Sequence, residues 1–210
     1  MKKGLLAVAC LLALVGKSQA ADLSVGLGAD YWNPTPEGQI AGVGTDYDNP
    51  SLWTYWVDLR HGFPLIPNAN LQRSTLDTQG QGLGNQLTAW DLALYYRLFD
   101  NDLFGIGGGL NVRKYDGEVN SRSYDEVEPL GYVQADVNIP GTTISGFADA
   151  RFASWDGNHS HDYRIGAALE MIANFKLRAG YRNVRLDDTI DGIEFAQRMD
   201  GWFAGAEYRF

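Results

Sequence analysis

His159 and His161 stand two residues apart between Asp156 and Asp162. In an extended chain the two imidazoles share a face, so the group could ligate a metal ion or supply a general base. Asp187 and Asp188 add a second pair of carboxylates in a polar stretch. The plainer reading is that all of these are solvated loop residues. No motif around them specifies a reaction, so the sequence assigns no catalytic residue, no metal ligand and no cofactor.

Acid is concentrated in three other places: Asp46 and Asp48; Asp116, Glu118, Asp125, Glu126 and Glu128; and Asp187, Asp188, Asp191 and Glu194. Hard divalent cations prefer carboxylate oxygens, so such stretches could hold cations that bridge lipopolysaccharide phosphates. A solvated surface explains them equally well. The glycine run at 105–109 is not a dinucleotide fingerprint, because Leu110 occupies the third required glycine and no helical pattern follows.

Charge placed at every second position is the most informative set. Asp30, Asp58, Arg60, Asp91, Arg97, Arg113, Asp136, Asp149, Arg151, Arg164, Glu170, Arg178, Arg182, Glu207 and Arg209 all alternate with apolar neighbours. Seven are acidic and eight basic, so on one surface they could neutralise each other through bidentate Arg–carboxylate pairs. Inside a narrow barrel they form either a structural polar core or the constriction of a small channel.

Alternation of this kind requires strands with one apolar and one polar face. Ten segments show it: 23–31, 53–60, 69–77, 90–98, 104–113, 132–139, 144–152, 162–171, 175–182 and 202–210. Each approaches the roughly 9–11 residues of a tilted membrane strand. Segment 69–77 alternates weakly, with Arg73 among its apolar positions, which leaves eight strands as the alternative count. Short connections (62–68, 100–102, 140–141, 173–174) alternate with long ones rich in Asp, Asn and Gly (32–50, 78–85, 116–128, 154–161, 187–199). Short turns on one side and long loops on the other describe a closed antiparallel transmembrane β-barrel with a polar lumen. Trp53, Tyr55, Trp90, Tyr96, Tyr181, Trp202 and Tyr208 fall mostly near strand ends, where aromatic girdles sit. A soluble sandwich would instead bury the apolar face in a small core. Glycines on the polar face, such as Gly26, Gly28, Gly107 and Gly205, suit a strongly curved sheet more than an open pore.

Residues 1–20 read as a cleaved signal peptide and 21–210 as the barrel. Lys2 and Lys3 precede an apolar run from Gly4 to Gly16, and Ser18-Gln19-Ala20 supplies the small residues of a cleavage site. Thirteen apolar residues fall short of the roughly 20 of a membrane helix. Loss of Lys2, Lys3 and Lys17 takes the net charge from −9 to −12 and removes Cys10, the single cysteine. A thiol-free chain has no disulfide framework or Cys nucleophile, and its acidity argues against nucleic acid as a partner.

The closing residues Trp202, Ala204, Ala206, Tyr208 and Phe210, at alternate positions, resemble the assembly signal of bacterial outer-membrane proteins. Together with Gly26-Leu27-Gly28-Ala29, Pro64-Leu65-Ile66-Pro67-Asn68 and Gly205-Ala206-Glu207-Tyr208-Arg209-Phe210, the chain resembles a family of small proteobacterial outer-membrane β-barrels of unassigned molecular function. That resemblance implies the cell outer membrane, with its lipid and lipopolysaccharide, and the barrel-assembly machinery and periplasmic chaperones as partners. It brings no catalytic residue. The expected role is structural, adhesive or that of a narrow channel. The alternative is a barrel enzyme, a protease or lipid A modifier, using the outer rim; the similarity to ten-strand outer-membrane proteases (omptins) stops at architecture.

Overall fold

In strands that alternate apolar and polar side chains, one face must meet hydrocarbon while the other is shielded from it. The computed structural model resolves this with a single antiparallel sheet, described over residues 23–40, 43–46, 48, 50–80, 83–119, 122–155, 158–172, 174–190 and 193–210. Its strands are β1 (Ser24–Ile40), β2 (Val43–Asp46), β3 (Leu52–Arg60), β4 (Asn68–Thr75), β5 (Thr78–Gly80), β6 (Leu83–Asp100), β7 (Phe104–Val119), β8 (Arg122–Asn138), β9 (Ile144–Trp155), β10 (Asn158–Ile172), β11 (Phe175–Ile190) and β12 (Ile193–Arg209). Ten of them form a closed wall in sequence order, sealed where β12 pairs with β1 from Gly26–Arg209 to Ile40–Phe195. The short strands β2 and β5 pair only with β1 and β6 respectively, as extensions at the outer rim. The signal segment lies outside the described residues, as do Asp156 and Asp191.

Strand β4 makes the count ten. It pairs with β3 on one side and β6 on the other, with Asn68, Asn70, Gln72 and Ser74 buried inside. Arg73, which weakened the alternation, points outward at the interface, where its guanidinium lies 5.7 Å from the Trp90 ring.

The long connections expected at 32–50, 116–128 and 187–199 are in large part strand. Strand β1 continues to Ile40, β7 and β8 meet across Val119–Arg122, and β11 and β12 across Ile190–Ile193. At roughly 3.4 Å per residue and a tilt of about 40°, the 17 residues of β12 rise about 44 Å, against an apolar band of about 25 Å. The wall therefore stands well clear of the membrane on the long-loop side. Above the membrane the alternation reverses sign. On β7, Phe104, Ile106, Leu110 and Val112 face out, but further along Lys114, Asp116 and Glu118 face out while Tyr115 and Val119 are buried inside. On β11, Leu177 faces out and Arg178 in, whereas higher up Arg185 faces out and Val184 and Leu186 face in. Water has replaced lipid outside, so the polar side chains turn outward.

Pro34 and Pro36 fit this strand because of where they sit. Pairing of β1 with β3 ends at Trp32 and pairing with β2 begins at Glu37, so no strand adjoins that flank between them. A residue without an N–H is tolerated on such an edge.

The outward band carries two aromatic rings. Tyr31, Trp53, Trp90, Tyr163, Tyr181 and Trp202 mark the outer interface, and Tyr96, Phe99, Phe104, Phe175, Tyr208 and Phe210 the inner one. Leu92, Leu94, Leu110, Ile165, Leu169 and Leu177 lie exposed in the band. Trp202, Ala204, Ala206 and Tyr208, residues of the proposed assembly signal, share the outward parity of β12, and Phe210 follows it, exposed.

Candidate functional site

The lumen is where the charged alternation converges. Arg182 on β11 reaches Asp162 at 2.7 Å, and Asp162 reaches Arg113 on β7 at 2.7 Å. Arg113 holds Asp91 at 2.8 Å, Asp91 meets Arg151 at 3.7 Å, and Arg151 bonds Asp149 at 2.9 Å. Asp149 accepts from Arg164 at 2.9 Å, and Arg164 reaches Asp30 on β1 at 3.4 Å. Asp30 pairs with Arg178, Arg178 with Glu207, Glu207 with Arg209, Arg209 with Asp58, and Asp58 with Arg60. Thirteen side chains thus form one unbroken chain of opposite charges from the outer third of the lumen to the inner mouth. Arg97 and Asp136, 2.7 Å apart, make a separate pair at that mouth with Asp100.

Neutral groups complete the network. Asn111 and Arg113 both donate to Asp91, and Tyr95 donates to Asp58 at 2.7 Å. Arg182 spans the lumen to donate to Thr54 on β3 and Ser74 on β4. Such satisfaction of its donors lowers the cost of burying a guanidinium.

Of the fifteen charges read from the sequence, fourteen line the lumen. Asp30, Asp58, Asp91, Arg113, Arg151, Arg164, Arg178 and Arg182 are buried, and Arg60, Arg97, Asp136, Asp149, Glu207 and Arg209 are half-buried. Glu170 is the correction. It keeps the inward parity of Asp162 and Arg164 and pairs with Lys176 in unbroken register, but it is exposed at the periplasmic end of β10, just before the register shift that precedes Ile172. The residue missing from the sequence set is Asp162, which is 1% exposed and bridges Arg113 to Arg182. Its signal was available: it shares period-two parity with Arg164, but proximity to the two histidines drew it into a rim loop.

The other rim candidates separate. His161 faces outward, bonded to Asn183 at 2.8 Å and stacked on Tyr163. His159 shares that outward parity on β10, and Asp187 pairs with Arg185 at 2.7 Å. Among the described residues, no group of three or more His, Cys, Asp or Glu is close enough to hold a metal ion.

Outside the charged zone the lumen changes character. Trp32, Leu52, Leu76, Leu87, Tyr115, Tyr124, Val184, Leu186, Met199 and Phe203 pack into one buried apolar cluster. The Arg182 guanidinium lies 4.7 Å from the Trp32 ring, where the two zones meet. Above the cluster, Gln197 bonds Thr78 and Asn85. On the periplasmic side a cavity of about 420 Å³ reaches the short turns at Asp100, Asn101 and Asn138, with Trp56, Tyr132, Phe147 and Arg178 among its lining.

A lipid-facing belt, two aromatic rings, a polar interior and strict antiparallel closure are now in place. Neither a family model nor a curated protein matches the sequence. Among solved structures, the fold is similar to that of the outer membrane protease OmpT from Escherichia coli, with a TM-score of 0.54 over 90% of this chain and 96% of that one, at 11% identity. The chain has the fold of an outer-membrane β-barrel. The COG4313 outer membrane channel from Pseudomonas putida F1 (TM-score 0.48, 11% identity, 93% of this chain and 100% of that one) and the Neisserial surface protein A (TM-score 0.40, 11% identity, 91% and 100%) were also matched. At 11% identity the likeness to the protease establishes the fold and carries no residue across.

Proposed function

We propose that this barrel is closed to conduction and acts as a structural or adhesive element of the outer membrane, without enzymatic turnover. The observation that carries this reading is the thirteen-residue ion-pair chain lying directly beneath a buried apolar layer. Ions crossing the lumen would have to break buried pairs and then traverse a layer with no polar partner, which is costly at each step. Purified protein in planar bilayers is expected to show no discrete conductance steps. Regular steps from the native protein would overturn the reading.

The outer wall supports lipopolysaccharide as the partner of this element. His161, Arg185 and Arg198 are register neighbours across β10, β11 and β12, facing outward just above Tyr163, Tyr181 and Trp202. Two arginines directly opposite each other repel across a sheet, and the carboxylates Asp187 and Asp200 on their own strands offset this in part. A phosphate at headgroup height would bridge them. Serine at both Arg185 and Arg198 is expected to lower retention of lipopolysaccharide by the purified barrel several-fold. Unchanged retention on a quantitative gel would remove this contact from the proposal.

A further inference from the structure

Arg178 differs from the other arginines buried in the lumen. Arg113, Arg151, Arg164 and Arg182 each donate at least two hydrogen bonds to named side chains. Arg178 is just as enclosed, at 8% exposed, yet among the described residues its guanidinium makes none. Its Nε lies 3.1 Å from Asp30 Oδ1 outside hydrogen-bond geometry, and its Nη1 is 3.6 Å from Glu207. Aromatic faces hold it in place instead, with the Phe147 ring at 4.2 Å and the Trp56 ring at 5.0 Å.

The guanidinium has five N–H donors in a planar fork, and this one lines the periplasm-facing cavity of about 420 Å³. Two further donors without an acceptor belong to residues of the same lining, Trp56 Nε1 and Gln134 Nε2. Tyr132 donates to Gln134 Oε1, which leaves the amide nitrogen of Gln134 as its free end. The buried side-chain atoms of this lining that make no hydrogen bond are therefore all donors, and the unbonded acceptor nearest them, Asp30 Oδ1, stands behind Arg178 Nε outside the lining. Lys176, also in the lining and opposite Glu170 and Glu207 in the register, adds a cation near the mouth.

We propose that this vestibule is a binding site for a small oxyanion, a carboxylate or a phosphate group, entering from the periplasmic mouth and seated on the fork of Arg178. Aromatic packing fixes the plane of the guanidinium, so a bidentate acceptor meets a pre-organised partner. Gln134 turns its unpartnered amide nitrogen to supply a lateral hydrogen bond, while the Trp56 indole N–H lies against Gly28 and its ring senses the guanidinium at 5.0 Å. The proposal stands apart from the closed-barrel reading, since it is tested by anion binding and not by conductance.

The test uses the full barrel in lipid nanodiscs with ¹⁵N-labelled tryptophan, following the Trp56 indole resonance assigned with Trp56→Phe. Sodium phosphate and sodium succinate are titrated separately against sodium chloride at matched ionic strength. A saturable shift with at least one of the two anions and none with chloride is expected. The anion that shifts the resonance names the class. Arg178→Met, which keeps the volume and removes the fork, is expected to weaken binding about tenfold or more. If Arg178→Met does not fold, Gln134→Leu takes its place with the same expected direction. Absence of a saturable shift with both anions, or unchanged affinity in the folded variant, overturns the proposal.

Discussion

Asp162→Ala is expected to cost about 3–5 kcal/mol of folding stability, the scale of breaking a buried ion pair from one side. Asp162 accepts from Arg113 at 2.7 Å and from Arg182 through two of its nitrogens. Both arginines are all but inaccessible to water, so removal of this carboxylate leaves Arg182 with no ion-pair partner among the described residues and Arg113 with Asp91 alone. The measurement is reversible urea unfolding in lipid vesicles, followed by tryptophan fluorescence. Glu170→Ala provides the contrast. Exposed at the periplasmic end of β10, it should stay within about 0.5 kcal/mol of the native protein. Exposed pairs such as Lys114–Asp125 are worth little by comparison, at about 0–1 kcal/mol. Equal effects at Asp162 and Glu170 would show that burial does not govern the network.

Leu110→Arg tests the solvent on the outside of the wall. Leu110 is 73% exposed and faces Leu94 across β6 and β7, midway between the two aromatic rings. In water an exposed leucine could become arginine almost freely. In hydrocarbon the same change is expected to cost about 2–4 kcal/mol, falling to about 0–1 kcal/mol near the interface. Leu103→Arg, at the exposed inner turn, is the shallow control. The same vesicle unfolding experiment reads both. A Leu110→Arg penalty no larger than that of Leu103→Arg would mean that lipid does not touch this face.

Much of the architecture was legible because a membrane strand writes a two-residue period into the chain. Phe104, Ile106, Leu110 and Val112 against Asn111 and Arg113 could hardly be anything else. The outer extensions were misread as loops for a physical reason. A reader tuned to apolar-out alternation sees Arg185, Asp187 and Arg198 as solvated connection, when the period continues with the faces exchanged between lipid and water. Trp32 was passed over as a core residue on the same account. Asp162 was missed because its neighbours His159 and His161 suggested a different chemistry from the one its parity implied.

By itself, the amino-acid sequence determined the strand period, the lipid-facing residues and almost every charge of the lumen, because face alternation is a local property of each strand. Only the tertiary structure decided which charges meet. Arg164 and Asp30 lie 134 positions apart, and Arg182 and Thr54 lie 128 apart. Closure of β12 on β1 brings them together, and the stagger of ten registers sets the height of each. Whether the interior is a pore, a sealed core or a one-sided vestibule is therefore a property of the closed ring, which no single strand carries.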